Sequence, residues 1–373
     1  MQRGTITVMM NHSRAVPSAV DAGARVNLAT NDYLGLADHP RLREAVAEAA
    51  MTDGVGSTGS RRLSGDHPVF ADAEAMIAQW VGMEAGLLFN SGYQMNVGLF
   101  SAMSDARTLI VADKYSHASI VDGIRLSAAR LMRFRHNDAD HCAHLLAKHA
   151  TAYTRCIIVC ESIYSMDGDE APIADLIRLK QQYGAQLMVD EAHSMGLYGR
   201  GGNGWVNHHG VLSGVDAIMI PLGKAFGLSG AMLVGSAALI ATMKRQCRSY
   251  IYSTAPMIPL GVAIQRSCEL IQGADAERAR IRSHIARIRQ GLQSRSTTHI
   301  QPLVVGEAAG ASAAEEALWH AGFWIKAVHH PTVPKGQSRL RLTLSARHTA
   351  ADIDRAMGVL RPFHCKGCER DGS

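Results

Sequence analysis

No apolar run in this chain approaches the ~18 residues that a membrane-spanning helix needs, so a bilayer-embedded protein is not expected. The opening residues Met1-Gln2-Arg3-Gly4-Thr5-Ile6-Thr7 lack the apolar core of a secretion signal, and a cytoplasmic location is the expectation. Basic residues are scattered rather than massed, and the formal charge is only +5. A nucleic-acid surface would need a concentrated patch, so that class of partner is excluded. The seven cysteines follow no regular spacing, which argues against a disulfide framework and for a reducing compartment. One CxxC exists, Cys365-Lys366-Gly367-Cys368, in a polar tail. Zinc there would need two more ligands, with His364 one candidate, so an unstructured tail is the simpler reading and no metal is expected. Gly54-Val55-Gly56-Ser57-Thr58-Gly59 fits a dinucleotide fingerprint but follows a helical segment rather than a strand. Asp190-Glu191-Ala192-His193 spells a helicase motif, yet no GxxxxGK[ST] accompanies it.

What is present is a globular chain of 373 residues, 47% hydrophobic and 19% charged. At roughly 150 residues per domain that allows two domains, or one large α/β unit with an appended lobe. Helical periodicity is expected near 41–52 and 67–81. Between about 86 and 235 short apolar runs alternate with helical segments: Leu87-Leu88-Phe89, Thr108-Leu109-Ile110-Val111, Cys156-Ile157-Ile158-Val159-Cys160, Leu187-Met188-Val189 and Ala217-Ile218-Met219-Ile220. Continuous apolar strands separated by helices predict a mostly parallel sheet covered on both faces. Its ligand chemistry should gather beyond the carboxyl ends of the strands. Long helices follow near 257–273 and 276–293. A smaller α+β lobe then has strands near 302–305, 323–328 and 339–344 and helices near 312–321 and 350–360. The expected division is an arm (1–30), a large domain (31–255), connecting helices (256–295), a small C-terminal domain (296–361) and a tail (362–373).

Lys224 is the most informative residue. It follows the 215–220 apolar run and the break Pro221-Leu222-Gly223, and precedes the glycine-rich Ala225-Phe226-Gly227-Leu228-Ser229-Gly230. A backbone of that kind lets a ligand approach closely. Asp190 stands at the end of another strand-like run. A lysine able to form a Schiff base, with an aspartate to hold a pyridinium nitrogen, is the minimal set for pyridoxal phosphate chemistry. Asn90-Ser91-Gly92-Tyr93 places a glycine where a strand meets a helix, which suits either a phosphate on the helix N-terminus or an ordinary cap. His117, in Ser116-His117-Ala118-Ser119, is able to lie on a planar ring or to be structural. Ser165 supplies a hydroxyl after the 156–160 run, and His193 is placed to bond a phenolic oxygen or to sit in an exposed loop.

These segments, in this order, resemble the α-oxoamine synthases, fold-type I pyridoxal phosphate enzymes that join an amino acid to an acyl thioester. The resemblance runs from Asn31-Asp32-Tyr33-Leu34-Gly35-Leu36 to the last helix. It is carried by Ser116 to Ser119, Ser165-Met166-Asp167-Gly168-Asp169, Asp190 to His193, Gly223-Lys224-Ala225-Phe226-Gly227 and Tyr252-Ser253-Thr254. It implies an aspartate-aminotransferase-like fold and roles residue by residue. Lys224 would attach the cofactor, and Asp190 would pair with the pyridine nitrogen. His193 and Ser165 would contact the phenolic oxygen, and His117 would stack on the ring. Gly92 with Tyr93 would hold the phosphate, and Thr254 would reach it from a second subunit of a homodimer. Arg341 would bind the amino-acid carboxylate, with Asn31 nearby.

Ile300-Gln301-Pro302-Leu303-Val304-Val305-Gly306, Pro331-Thr332-Val333-Pro334-Lys335-Gly336 and Arg339 to Leu344 resemble the branch that condenses L-alanine with a pimeloyl thioester in biotin synthesis. The carrier, coenzyme A or a carrier protein, stays open. The alternatives are a sister synthase that uses glycine, serine or another acyl group, and a catalytically weak subunit of the same fold. Two departures from the family pattern bear on this. Pro221 replaces the hydroxyl residue that usually contacts the phosphate, and proline offers neither O–H nor N–H. The family's leading helix, which helps to bind the acyl chain, has only Arg14 as a counterpart.

Overall fold

The structure, a computed structural model, describes residues 25–363. Arg14, His364, the Cys365/Cys368 pair and most of the expected arm lie outside the described residues. All five continuous apolar runs form strands of one seven-stranded sheet. Its order is Ala85–Phe89, Ala231–Gly235, Ala217–Pro221, Gln186–Asp190, Arg155–Glu161, Thr108–Asp113 and Arg130–Phe134. Every pairing is parallel except those of Ala231–Gly235, which runs against both neighbours.

The period of two along each strand splits the interior into two layers. Leu88, Leu109, Val111, Ile158, Cys160, Leu187, Val189, Ile218, Ile220, Met232 and Val234 join one buried cluster. Their neighbours Leu87, Phe89, Ile110, Ala112, Ile157, Val159, Met188, Met219 and Leu233 join a second. Both faces are therefore apolar, which is why the strands read as unbroken runs. The Arg130–Phe134 strand escapes that pattern because it is the sheet edge, with Arg130 and Arg133 exposed to water.

Helices cover both faces, with ends set by local chemistry. Pro40–Asp53 and Pro68–Val81 each open on a proline, whose missing N–H has no intrahelical partner to lose. The second stops at Gly82, which takes the left-handed conformation and returns its N–H to the Ala78 carbonyl. The 54–59 glycine run indeed follows a helix.

Ile258–Gln272 and Asp275–Leu292 lead to an antiparallel sheet ordered Ala327–Val328, Ser338–Thr343 and Ile300–Gly306. Helices Ala308–His320 and Ala350–Leu360 accompany it. The single strand expected at 323–328 is in fact two. Phe323–Trp324 pairs with Val26–Asn27, while Ala327–Val328 pairs with Leu340 and Arg339. Alternation reveals which side chains are buried but not which partner strand they serve. Among the described residues no helix is long and apolar enough to cross a membrane, and Cys142, Cys156, Cys160, Cys247 and Cys268 are free and buried.

The segment after the Arg155–Glu161 strand ties these two regions together. Its ends pair at Ile163 and Glu170. From one side Asp169 accepts hydrogen bonds from His136 and Asn137. From the other, the Gly168 carbonyl accepts from Thr298 Oγ1 at 2.7 Å, Asp167 pairs with Arg339, and the Ser165 carbonyl accepts from Arg341. Gly168 has φ +66°, and a methyl group there would overlap the Ile300 carbonyl. Gly210 has the same φ with open space around it. Gly168→Ala should lower the unfolding free energy by ~2 kcal/mol or more, against ~1 kcal/mol for Gly210→Ala. Parallel urea titrations read the difference.

Candidate active site

The carboxyl ends of the parallel strands bring together most of the residues singled out above. Asp190 closes Gln186–Asp190 and is buried. Its Oδ1 accepts the Ala192 N–H at 3.0 Å and its Oδ2 accepts from Asn96 Nδ2 at 3.2 Å. Glu161 closes the adjacent strand directly opposite Asp190. Burial and the Asp190 charge push the Glu161 carboxyl well up, against the pull of Lys224, and its Oε1 has no hydrogen-bond partner. Lys224 lies three residues beyond the Ala217–Pro221 strand. Burial holds its amine below the ordinary lysine range, Asp190 and Glu161 oppose that, and Arg341 adds to it.

His193 is buried rather than exposed, and its Nδ1 lies 2.6 Å from the Tyr33 hydroxyl. Burial, with Lys224 and Arg341 adding to it, keeps this imidazole neutral at ordinary pH. The Tyr33 hydroxyl also donates to Asn31 Oδ1 at 3.1 Å, and Arg341 reaches the same oxygen at 3.3 Å. Asn31 and Arg341, 310 residues apart, therefore meet. Ser165 joins them through its carbonyl, which accepts from Arg341 Nε. His117 caps helix Ala118–Leu126 by accepting the Ser119 N–H, with its ring part-buried at that contact.

At the other side, Ser91 caps helix Gly92–Met103 by accepting the Gln94 N–H. A Cβ on Gly92 would lie 3.0 Å from the Pro221 ring, so the helix start and the strand end are in close contact. The Tyr93 hydroxyl turns away to donate to Asp122, leaving its backbone N–H as the group for an anion. Thr254 is exposed, and its carbonyl accepts from Asn90 Nδ2 at 2.8 Å. A cleft of about 1330 Å³ runs beside this centre along Lys114, His136, Asp169, Arg295 and Arg339, and Lys224 does not line it.

Sequence reasoning assigned no role to Tyr33, Asn96, Ser119, His136, Glu161 or His299. Tyr33 carried a signal as part of the Asn31-Asp32-Tyr33 run, and Glu161 as a polar strand end. His136 bonds Asp113 at 2.9 Å and Asp169 at 2.6 Å. Burial alone would lower its pKa, but these two carboxylates push it up to about 10. His299 packs edge-on against Tyr33 at 4.2 Å and is pulled down to about 3 by burial, Arg341 and Lys224. An unfolded histidine protonates near 6.5, so the unfolded chain binds more protons between these values. The stability His299 contributes is complete above pH 6.5 and drains as pH falls toward 3. On moving from pH 7 to pH 5 the wild type should lose about 2 kcal/mol more than His299→Phe, measured by urea unfolding at both pH values.

Residues 24–360 match the family model for aminotransferase class I and II. A curated relative, 8-amino-7-oxononanoate synthase of Anaeromyxobacter dehalogenans, is 42% identical over 347 residues, 91% of this chain and 87% of that protein. Among solved structures, serine palmitoyltransferase from S. paucimobilis with bound PLP is 27% identical with a TM-score of 0.87, covering 91% of this chain and 87% of that one. An 8-amino-7-oxononanoate synthase from Francisella tularensis is 26% identical with a TM-score of 0.77, covering 91% and 97%. The chain belongs to the aminotransferase class I and II family, in its α-oxoamine synthase branch.

Proposed function

We propose that this protein condenses L-alanine with a pimeloyl thioester, on coenzyme A or a carrier protein, to give 8-amino-7-oxononanoate, carbon dioxide and free carrier in biotin synthesis. The observation that carries this reading is one desolvated centre holding the Lys224 amine, the Asp190 carboxylate and the Asn31–Arg341 pair. The 42% identity to a named synthase of that product supports it.

The residues fit pyridoxal phosphate. A helix N-terminus offers backbone donors to a phosphate, with a glycine where a Cβ would strike the Pro221 ring. An amine, a carboxylate and two imidazoles match an aldehyde, a pyridine nitrogen, a ring face and a phenolic oxygen. When bound, the cofactor supplies an electron sink for the carbanion at the amino-acid Cα.

The side chains do the rest. Arg341 binds the alanine carboxylate through its planar fork, exchanging the Ser165 carbonyl for the substrate, while Asn31 steadies it. Lys224 Nζ, unprotonated for part of the time because it is buried, takes the Cα proton and later returns one. With the cofactor bound, Asp190 would face its ring nitrogen, His193 and Ser165 would face its phenolic oxygen, and His117 would lie against the ring. Carbon dioxide leaves from the β-keto acid made by carbon–carbon bond formation.

A homodimer completes the site in this reading. Met51, Val55, Leu63, Tyr252 and Met257 are large apolar side chains exposed to solvent. They lie on segments joined by the Ser60–Thr254 bridge and the Ala255 N–H to Gly59 carbonyl bond. A second copy covering that surface would bring Thr254 to the partner's phosphate site.

Purified protein given pyridoxal phosphate, L-alanine and pimeloyl-CoA should release free coenzyme A and the oxononanoate product. Glycine or serine accepted in place of alanine would move the chain to a sister activity. No turnover with any of the three would leave a catalytically weak subunit. Arg341→Lys should raise KM for alanine by roughly tenfold or more, since an ammonium cannot replace a bidentate fork. Pro221→Thr should bind pyridoxal phosphate more tightly than the wild type, by a few-fold, through one added hydroxyl. Equal dissociation constants would show that another donor already serves the phosphate.

A further inference from the structure

Helix Gly92–Met103 carries a buried polar side chain with no role in the scheme above. Asn96 is 2% exposed and sits one turn after Gly92. Asparagine is a poor helix former, and a buried amide must find partners. Its Nδ2 has two, Asp190 Oδ2 at 3.2 Å and Ser119 Oγ at 3.0 Å, while its Oδ1 makes no hydrogen bond. The reversed amide would set an oxygen against the Asp190 carboxylate, so Asp190 dictates which way the amide points. Ser119 is fully buried. Having accepted from Asn96, its hydroxyl has its own proton left for His117 Nδ1, 2.7 Å away. The Ser119 backbone N–H points at the same nitrogen at 3.3 Å. Two donors aimed at Nδ1 make it the unprotonated ring nitrogen, which leaves the proton on Nε2.

We propose that Asn96 is a positioning residue that joins Asp190 to His117 through Ser119 and holds His117 as its Nε2–H tautomer. This rests on the reading that the cofactor ring lies between those two side chains. One amide then aligns the group at the ring nitrogen with the group on the ring face, from the same helix whose N-terminus receives the phosphate. Desolvation lowers the His117 pKa, with Asp190 opposing and Lys224 assisting, which agrees with a single ring proton.

The test combines nitrogen NMR of 15N-histidine-labelled protein with a double-mutant cycle on cofactor affinity. In the wild type, with and without pyridoxal phosphate, His117 should show an unprotonated Nδ1 and a protonated Nε2. Asn96→Ala and Ser119→Ala should each raise the pyridoxal phosphate dissociation constant roughly tenfold, the worth of one lost hydrogen bond. The double variant should be no worse than Asn96→Ala, because both act through one chain of bonds. A proton on Nδ1, unchanged affinity in the single variants, or additive losses of about a hundredfold would each overturn the proposal. If Asn96→Ala does not fold, Ser119→Ala with the wild-type tautomer carries the test. Failure of the wild type to bind pyridoxal phosphate would instead overturn the functional reading, since the tautomer is measured without it.

Discussion

An amine and a carboxylate kept in a space with little water govern this structure. Asp190 ends one strand, and Lys224 stands beyond the end of its neighbour, in a sheet buried on both faces. Desolvation disfavours any charge there, so each polar group must be answered by another. Asp190 is answered by the Asn96 amide and the Ala192 N–H. Burial pushes the Glu161 carboxyl up beside it and pulls the His193 and His299 imidazoles down. The same desolvation lowers the Lys224 pKa, so a stabilising constraint and a reactive amine have one cause.

The segment from Ile163 to Glu170 carries that arrangement outward. It takes its position from His136 and Asn137 on one side and from Thr298, Arg339 and Arg341 on the other. The residue expected to receive a substrate carboxylate is therefore in direct contact with the backbone of the residue expected to face the cofactor. In the proposed reading, a substrate carboxylate at Arg341 would replace its hydrogen bond to Ser165, so that recognition at one end of the site would reach the other.

The sequence revealed the sheet because its central strands are apolar on both sides, and it singled out Lys224, Asp190 and Arg341 as candidates because each belongs to a local run of recognisable residues. It did not reveal Arg130–Phe134, whose exposed arginines break the apolar pattern at an edge, nor the change of partner between Phe323–Trp324 and Ala327–Val328. Asn96, His136 and His299 were silent for a different reason. Their partners are distant in the chain, such as Asn96 with Asp190 across 94 positions and His136 with Asp169 across 33. Periodicity cannot say what a buried asparagine in an apolar helix bonds.

Borohydride reduction of the pyridoxal phosphate-loaded protein, followed by peptide mass spectrometry, tests the central claim most directly. A single modification on Lys224 is predicted, because among the described lysines that amine is the one buried beside Asp190 and Glu161. Modification spread over surface lysines, or none at Lys224, would contradict it.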